Sequence, residues 1–525
     1  MRGLSLAAAL FLLNASLTFQ NIWPTPAVQW TGGLSIELAV CVLLLILWKL
    51  LVGPPSRGVL RMLATLWVVL VLGRYANVTA PALYGREISL YWDLQYIPDV
   101  AAMLAQAAAP WLVVLVILSG VLLLAALYWS MRWALGQLAD AISHANTRAA
   151  LAAIALIAVG LFAGQRLSAR VPQRPTFASP VSASLVEQAR LSFDVATGTT
   201  SLPPSPSMAS DLSRVKGADV VLLFLESYGR VTFDRPAFRT HLASSRAALD
   251  RAVQSTGRAA ISAFVESPTF GGSSWLAHIS LMSGVEVATP GTYARLMTEK
   301  RDTLATLFAR HGYRTVAVMP GLWYPWPEGR FYGFDEIYGA DRLAYRGPQF
   351  GWWGLSDQFA LARLDEQALK PVDRAPVFVF FPTISTHTPF VPTPPYQPDW
   401  ARMLTDQPYD APDVDRAFEQ QPDWLDLGPS YLQAVSYSLA TIAGYLEQRP
   451  AHDLVLIVVG DHQPPALVAG EGQPWEVPVH IIASHARRAA MLERLQAAGF
   501  QPGVTPSGPA LGKMSSLLST LLEGF

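Results

Sequence analysis

The placement of charge constrains this chain most. No Asp, Glu, Lys or Arg lies between Arg2 and Glu37, and none between Asp99 and Arg132. A helix that crosses a bilayer core needs about 20 mostly apolar residues. Five segments are candidates: residues 4–20, 33–51, 59–77, 107–129 and 149–165. Overall, 51% of the 525 residues are hydrophobic and 15% charged, too apolar for an ordinary soluble protein and too long for one compact domain. Segment 1 follows Arg2 as the apolar run of a signal peptide would, but no small-residue cleavage site follows it, so it is expected to stay as a helix.

Orientation follows from the basic residues of the short loops, because Lys and Arg stay on the cytoplasmic side. Lys49, Arg57 and Arg61 crowd the second loop, and Arg132 and Arg148 flank the fourth. The first loop is uncharged, and the third sets Arg86 against Glu87, Asp93 and Asp99. Five spans then put the N-terminus inside and everything after residue 165 outside. Cys41, the single cysteine, falls within span 2, so an exported domain would hold together without disulfides. A net charge of −1 with no basic tract leaves no electrostatic footprint for nucleic acid.

Residues 166–216 carry clustered Pro, Ser and Thr and are expected to tether the membrane domain (1–165) to a second domain (217–525), with a short helix near 184–193. Beyond residue 217, apolar runs at 218–225, 259–265, 315–319, 376–381, 453–459 and 477–483 alternate with helical periodicity at 236–254, 302–311, 356–369, 430–447 and 486–498. Short Val-, Ile- and Phe-rich runs read as buried strands, and the alternation predicts an α/β domain on a mostly parallel sheet. Ligands in such folds sit beyond the carboxyl ends of the strands.

Three strand ends carry chemistry. The first strand ends in Glu226-Ser227, the second leads into Gly271-Gly-Ser-Ser-Trp at a helix start, and the fifth ends in Asp461-His462. Two carboxylates, an imidazole and a hydroxyl suit a hard or borderline divalent cation. A serine at a helix start and next to a cation is activated as a nucleophile, and the free amides there hold phosphate oxygens. Taken singly, Glu226 reads equally as a helix cap, and Gly271–Ser274 as an ordinary turn into an N-cap. Asp461-His462 is harder to assign to structure alone, because polar groups directly after a long apolar strand are costly unless they bind something.

The run Phe224-Leu-Glu-Ser, the Gly-Gly-Ser-Ser-Trp turn ahead of Ser283-Gly284, Ser385-Thr-His-Thr-Pro-Phe and Gly460-Asp-His resemble the sulfatase-like branch of the alkaline phosphatase superfamily. Lipoteichoic acid synthases and phosphoglycerol transferases are the nearest members, with the lipid A phosphoethanolamine transferases as cousins. The resemblance implies a multi-span helical membrane domain in a bacterial inner membrane, followed by an extracytoplasmic, alkaline-phosphatase-like α/β domain. It implies one divalent cation, Mn2+ or Zn2+, held by Glu226, Asp461, His462 and the nucleophile. Counting back nine from Ser283 selects Ser274 as that nucleophile, with Ser273 the alternative one residue away. His387 would give a proton to the departing diacylglycerol oxygen, and Trp323 or Trp326 with Arg330 would hold the head group, although the arginine spacing departs from the synthase pattern.

Sulfatases that convert their nucleophile to formylglycine need Pro at +2 and Arg at +4. Ser274 is followed there by Leu276 and His278, which makes sulfate ester hydrolysis the minor alternative. The expected activity is transfer of phosphoglycerol from a membrane phospholipid, through a phospho-serine, to a hydroxyl of an exported glycan or lipid. Phosphoethanolamine transfer is the alternative, then a phosphodiesterase-type hydrolase, then a domain that has lost catalysis. On the topology above, a reporter that works only outside the cytoplasm should be active when fused after Val171 and inactive near Arg57. The reverse pattern rejects the five-span arrangement.

Overall fold

The computed structural model describes residues 2–23, 25–85, 110–167, 176–197, 202–322, 326, 328–351 and 353–525. It divides into two compact units, Met1–Leu83 with Glu87–Thr197, and Tyr84–Arg86 with Gly198–Phe525.

The first unit contains helices α1 (Arg2–Thr18), α2 (Ile36–Leu51), α3 (Arg57–Tyr84), α4 (Pro110–Ile142), α5 (Ala145–Leu167) and α6 (Val181–Thr197), with a hairpin of β1 (Phe19–Asn21) and β2 (Val28–Trp30) after α1. Each of the five expected segments contains a described helix, although residues 19–20 of the first belong to β1 and residues 33–35 of the second precede α2. Among the described residues, three helices, α3, α4 and α5, are long and apolar enough to cross a membrane. At 17 and 16 residues, α1 and α2 fall short of the usual span. On α4, Val116, Leu122 and Leu123 are 63%, 69% and 70% exposed, a surface that only hydrocarbon solvates well. Asn14 fixes α1 to the start of α2: its Nδ2 donates to Gly33 O and its Oδ1 accepts from Ser35 N.

The second unit is built on an eight-stranded sheet. Its strands are β3 (Asp219–Leu225), β4 (Arg258–Glu266), β5 (Arg314–Val318), β6 (Glu336–Tyr338), β7 (Val377–Pro382), β8 (Leu454–Gly460), β9 (Glu476–Ser484) and β10 (Gln501–Pro502), in the order β10-β4-β9-β8-β3-β7-β5-β6. Strands β8, β3, β7, β5 and β6 are mutually parallel, and β9 runs antiparallel to both β8 and β4. The mostly parallel sheet expected from the apolar runs is present, with β9 and the short β10 as its reversed members. Periodicity alone does not report strand direction.

Val220, Leu222 and Phe224 of β3 enter a core shared with helices Ser274–Ser283, His485–Ala497 and Met514–Gly524, and the intervening Val221, Leu223 and Leu225 are equally buried. Both faces of the sheet are therefore covered, which explains unbroken apolar strands in place of alternation. The periodicity at 236–254 resolves into two helices, Pro236–His241 and Ala243–Ser255, with Leu242 between them. That at 356–369 resolves into an α-helix, Asp357–Leu364, that continues as a π-helical turn, Asp365–Leu369.

The lower end of β3 is pinned by one acid. Asp219 Oδ1 accepts from Arg374 Nη1 and Val377 N, both at 2.7 Å, and Oδ2 lies 2.6 Å from His452 Nε2. Burial works to raise this carboxyl, but His452, Arg374 and the Val377 amide outweigh it and hold it below the usual range. Because the folded value is depressed, the stabilisation is full above the unfolded value of about 3.9 and is lost as pH falls through the folded one. Asp219→Asn removes the charge and leaves Arg374 without its counterion, and we expect a loss of about 3 kcal/mol in unfolding free energy at neutral pH. An unchanged denaturation midpoint would contradict this.

Candidate active site

The carboxyl ends of β3, β4 and β8 lie at one edge of the sheet, and the loops that leave them converge. After β3, Glu226 is followed by Ser227 in the left-handed region, φ 57°, which turns the chain sharply. After β8, Gly460 passes so close to that turn that a Cβ there would stand 1.9 Å from Tyr228 O, so only glycine fits. The backbone N–H groups of Ser227 and His462 both donate to Asp461 Oδ1, at 2.8 and 2.7 Å. Asp461 Oδ2 is buried without a partner. Such an orphaned acceptor is costly, and its natural complement is a cation or a proton.

His462 Nδ1 sits 2.7 Å from Gln463 O. A carbonyl can only accept, so Nδ1 carries the proton and Nε2 presents its lone pair to the site when the ring is neutral, as a metal-binding imidazole does. Among the described residues, one ligand atom each from Glu226, Asp461 and His462 lies within 4.8 Å of the others. All three residues are buried. Burial works to raise Glu226, and the imidazoles of His462 and His387 overcome it and hold it well below the ordinary carboxylate range. Burial, reinforced by the negative charge of Glu226, pushes Asp461 far above that range. Burial works to lower His462, but Asp461 and Glu226 raise it to about 9. Two carboxylates this close cannot both ionise cheaply against a single imidazolium. A divalent cation fits the donor set, since it would satisfy the orphaned oxygen and allow both to ionise.

Ser274 opens helix α8 (Ser274–Ser283; α7 is Ala243–Ser255). Its Oγ donates to Glu226 Oε2 at 2.9 Å and lies 3.1 Å from His462 Nε2. Ser273, the N-cap, is held at φ 63° and its side chain makes no cap bond to the first helical amides. The structure therefore brings Ser274, Glu226, Asp461 and His462 together, and sets Ser273 on the turn that aims its neighbour. Gly271 N donates to Gln463 O, and Ser267 Oγ donates to Asp461 O, tying the serine loop to the loop after β8.

His387 is exposed, in the loop after β7, and its charge acts on Glu226. Its Nδ1 is 2.8 Å from Thr388 O, and its ring meets Trp353 edge-on at 5.9 Å. Several residues that orient this loop were not evident from sequence. Asp357, at the start of α9 (Asp357–Leu364), accepts from Ile384 N and Ser385 N at 2.8 and 2.9 Å. Burial pushes its carboxyl up to about 6 against the pull of those amides. Thr383 Oγ1 accepts from Glu226 N, and Thr386 Oγ1 donates to Glu226 O. The only hint to Asp357 was its place after Ser356 at a helix start, which usually marks nothing more than a cap.

Of the proposed head-group residues, Trp326 and Arg330 do not join this cluster. Trp326 packs on Tyr332, ring centroids 5.0 Å apart, against the core. Arg330 is exposed on the short helix Gly329–Tyr332, and Trp323 lies outside the described residues.

Residues 273–498 match the family model for sulfatases. In fold, the chain is similar to an integral membrane lipooligosaccharide phosphoethanolamine transferase of Neisseria meningitidis, at 13% identity and a TM-score of 0.51 over 98% of this chain and 94% of that one. It also matches a lipoteichoic acid synthase of Listeria monocytogenes, with 15% identity and a TM-score of 0.36 over 64% of this chain and 78% of that one. A Streptococcus pyogenes phosphoglycerol transferase solved with sn-glycerol-1-phosphate matches with 11% identity and a TM-score of 0.35, over 65% and 91%. No curated protein sequence matches significantly. If the buried cluster binds a cation, Asp461→Asn and His462→Ala should each lower the Mn2+ or Zn2+ retained by the purified chain, read by elemental mass spectrometry. Full occupancy in both variants rejects the ligand set.

Proposed function

We propose, from a domain whose residues 273–498 match the sulfatase family model, that this protein moves a substituted-phosphate head group from a membrane phospholipid to a hydroxyl acceptor through a covalent phospho-serine. The observation that carries the proposal is the Ser274 hydroxyl, 2.9 Å from Glu226 and 3.1 Å from His462, at the start of a helix. A serine that served only as a cap would bond the amides of its own helix. This one is turned to a cluster of metal-ligating groups.

Glu226, Asp461 and His462 would hold one divalent cation, Mn2+ or Zn2+, which when bound makes the serine hydroxyl more acidic and offsets the charge of a phosphodiester. Ser274 Oγ forms the bond to phosphorus as the bond to the diacylglycerol oxygen breaks. His387, on the loop held by Asp357, gives the proton that the departing oxygen needs. The acceptor hydroxyl then attacks phospho-Ser274 as its proton returns to His387, and the departing serine oxygen takes up a proton from water to replace the one it released to water in the first half. Free amides in the first turn of α8 suit the phosphate oxygens in both halves of the reaction.

Phosphoglycerol is the head group we favour. One cysteine, Cys41 in α2, leaves the catalytic domain without the disulfides common among phosphoethanolamine transferases. Phosphoethanolamine is the second reading, favoured by the near-complete overlap in fold with the Neisseria transferase. The acceptor in either case is an exported glycan or lipid, with the catalytic domain outside the cytoplasm of a bacterial cell.

Incubation with phosphatidylglycerol and phosphatidylethanolamine, followed by peptide mass spectrometry, separates these readings by the mass left on the protein. Ser274→Ala should abolish both adduct and turnover, a loss of at least about 1000-fold for a nucleophile, while Ser274→Thr keeps part of the activity. Ser273→Ala should be milder. An adduct mapped to Ser273, or one that survives in Ser274→Ala, overturns the assignment.

A further inference from the structure

Within the membrane unit, a groove of about 690 Å³ runs between α2 and α3. Its walls are apolar along their length, and Phe162 of α5 contributes to them. Val40, Leu44 and Leu47 from α2 and Met62 and Leu66 from α3 line it while remaining 43–64% exposed. From Val40 to Leu51 the α2 wall extends about 17 Å at 1.5 Å per residue. One leaflet of a bilayer core is about 15 Å deep. The groove has the length and the polarity of a single acyl chain.

One end differs in kind. Glu37 and Ser182 close it, and both Glu37 oxygens are taken: Oε1 accepts from Ser182 N and Oγ, and Oε2 accepts from Ser35 Oγ. Arg74 lies one helical turn beyond Leu70, on the stripe of α3 that lines the groove. Its guanidinium is 3% exposed, donates through Nε to Phe19 O and through Nη1 to Ser179 O, three residues from Ser182, and leaves Nη2 buried without a partner. The acid at this end is satisfied and the base is not. Glu37 offsets the charge of Arg74, so what is unmet at this end is one donor, Arg74 Nη2, and an acceptor such as a phosphate oxygen is its complement.

We propose that the α2–α3 groove is a discrete binding site for one membrane glycerophospholipid, an acyl chain lying along the groove and the phosphate at the Glu37–Ser182 end, where Arg74 Nη2 supplies the unpaired donor. The site belongs to the membrane unit and does not depend on the chemistry assigned to Ser274. It differs from the general lipid coat of a membrane helix in being concave and in having a charged end. The exposed part of α4 is as apolar and contributes no residue to this groove, so it serves as the internal control.

The test uses the full chain in nanodiscs of phosphatidylethanolamine and phosphatidylglycerol, doped with a phospholipid that carries a diazirine in mid-chain. After irradiation, adducts are mapped by peptide mass spectrometry. Labelling on residues 40–70 should exceed that on residues 112–124 by about five-fold per exposed side chain, as expected for a bound lipid against a passing one. The double substitution Leu44→Trp and Leu66→Trp fills the groove at positions 60% and 53% exposed, where folding does not depend on the side chain. It should remove most groove labelling and leave α4 unchanged, whereas Leu115→Trp with Leu122→Trp should leave the groove unchanged. A diacylglycerol with the same diazirine chain and no phosphate should label the groove about ten-fold less. Labelling that follows exposure alone, tryptophans without effect, or equal labelling by the two probes would each overturn the site as proposed.

Discussion

Two carboxylates and an imidazole buried at one sheet edge set the terms for the rest of the catalytic unit. Glu226, Asp461 and His462 are 8%, 1% and 1% exposed, and their charges do not cancel in pairs. Taking such groups from water costs several kcal/mol each unless their partners are fixed in place. The surrounding structure supplies that fixation. Two backbone amides hold Asp461, a carbonyl holds the His462 ring, and Thr383, Thr386 and Ser227 hold Glu226 by its backbone and side chain. Parallel β3 and β8 are hydrogen-bonded neighbours over seven residue pairs, so the register of one strand against the other decides that the carboxylates meet. A slip of one residue would turn both to opposite faces.

The same edge explains why the reactive serine sits where it does. Strand β4 is separated from β8 by β9, so its own end is two strands away, and the loop of residues 267–273 must return to the centre. Ser267 and Gly271 make that return through bonds to the backbone of Asp461 and Gln463, and positive φ at Gly271, Gly272 and Ser273 gives the loop its tight curvature. The first residue free of that constraint is Ser274. Ser274 and the acidic cluster are thus positioned largely through bonds to backbone groups.

The membrane unit obeys a different solvent. Its helices bury a narrow seam of small and branched residues, such as Ala9, Ala39, Ala64 and Ala134, while large apolar groups face outward. Asn14, Ser35, Glu37 and Arg74 bond backbone or each other. This inversion is what a bilayer demands: packing draws helices together through small residues, and unsatisfied polar groups are expensive in hydrocarbon. Arg74 Nη2 is unmet, as are Asn21 Oδ1 and Thr79 Oγ1.

Much of this was legible in the sequence because it rests on local physics. Charge-free apolar runs of membrane length, alternation of strand and helix periodicities, and polar residues directly after apolar strands each follow from short-range solvation and backbone geometry. Glu226, Asp461 and His462 stood out for that reason, and Ser274 could be counted from the motif although Ser273 remained open beside it. Tertiary structure alone decided the rest. Only the folded loop shows which serine oxygen reaches Glu226. The reversal of β9 depends on pairing between strands far apart in sequence, which periodicity does not carry. Asp357 matters through amides twenty-seven and twenty-eight residues away, and nothing in its neighbourhood of sequence records that reach. Trp326 looked like a ligand-binding aromatic and is packed against Tyr332, because an aromatic side chain reads the same in a sequence whether its face meets a substrate or a core.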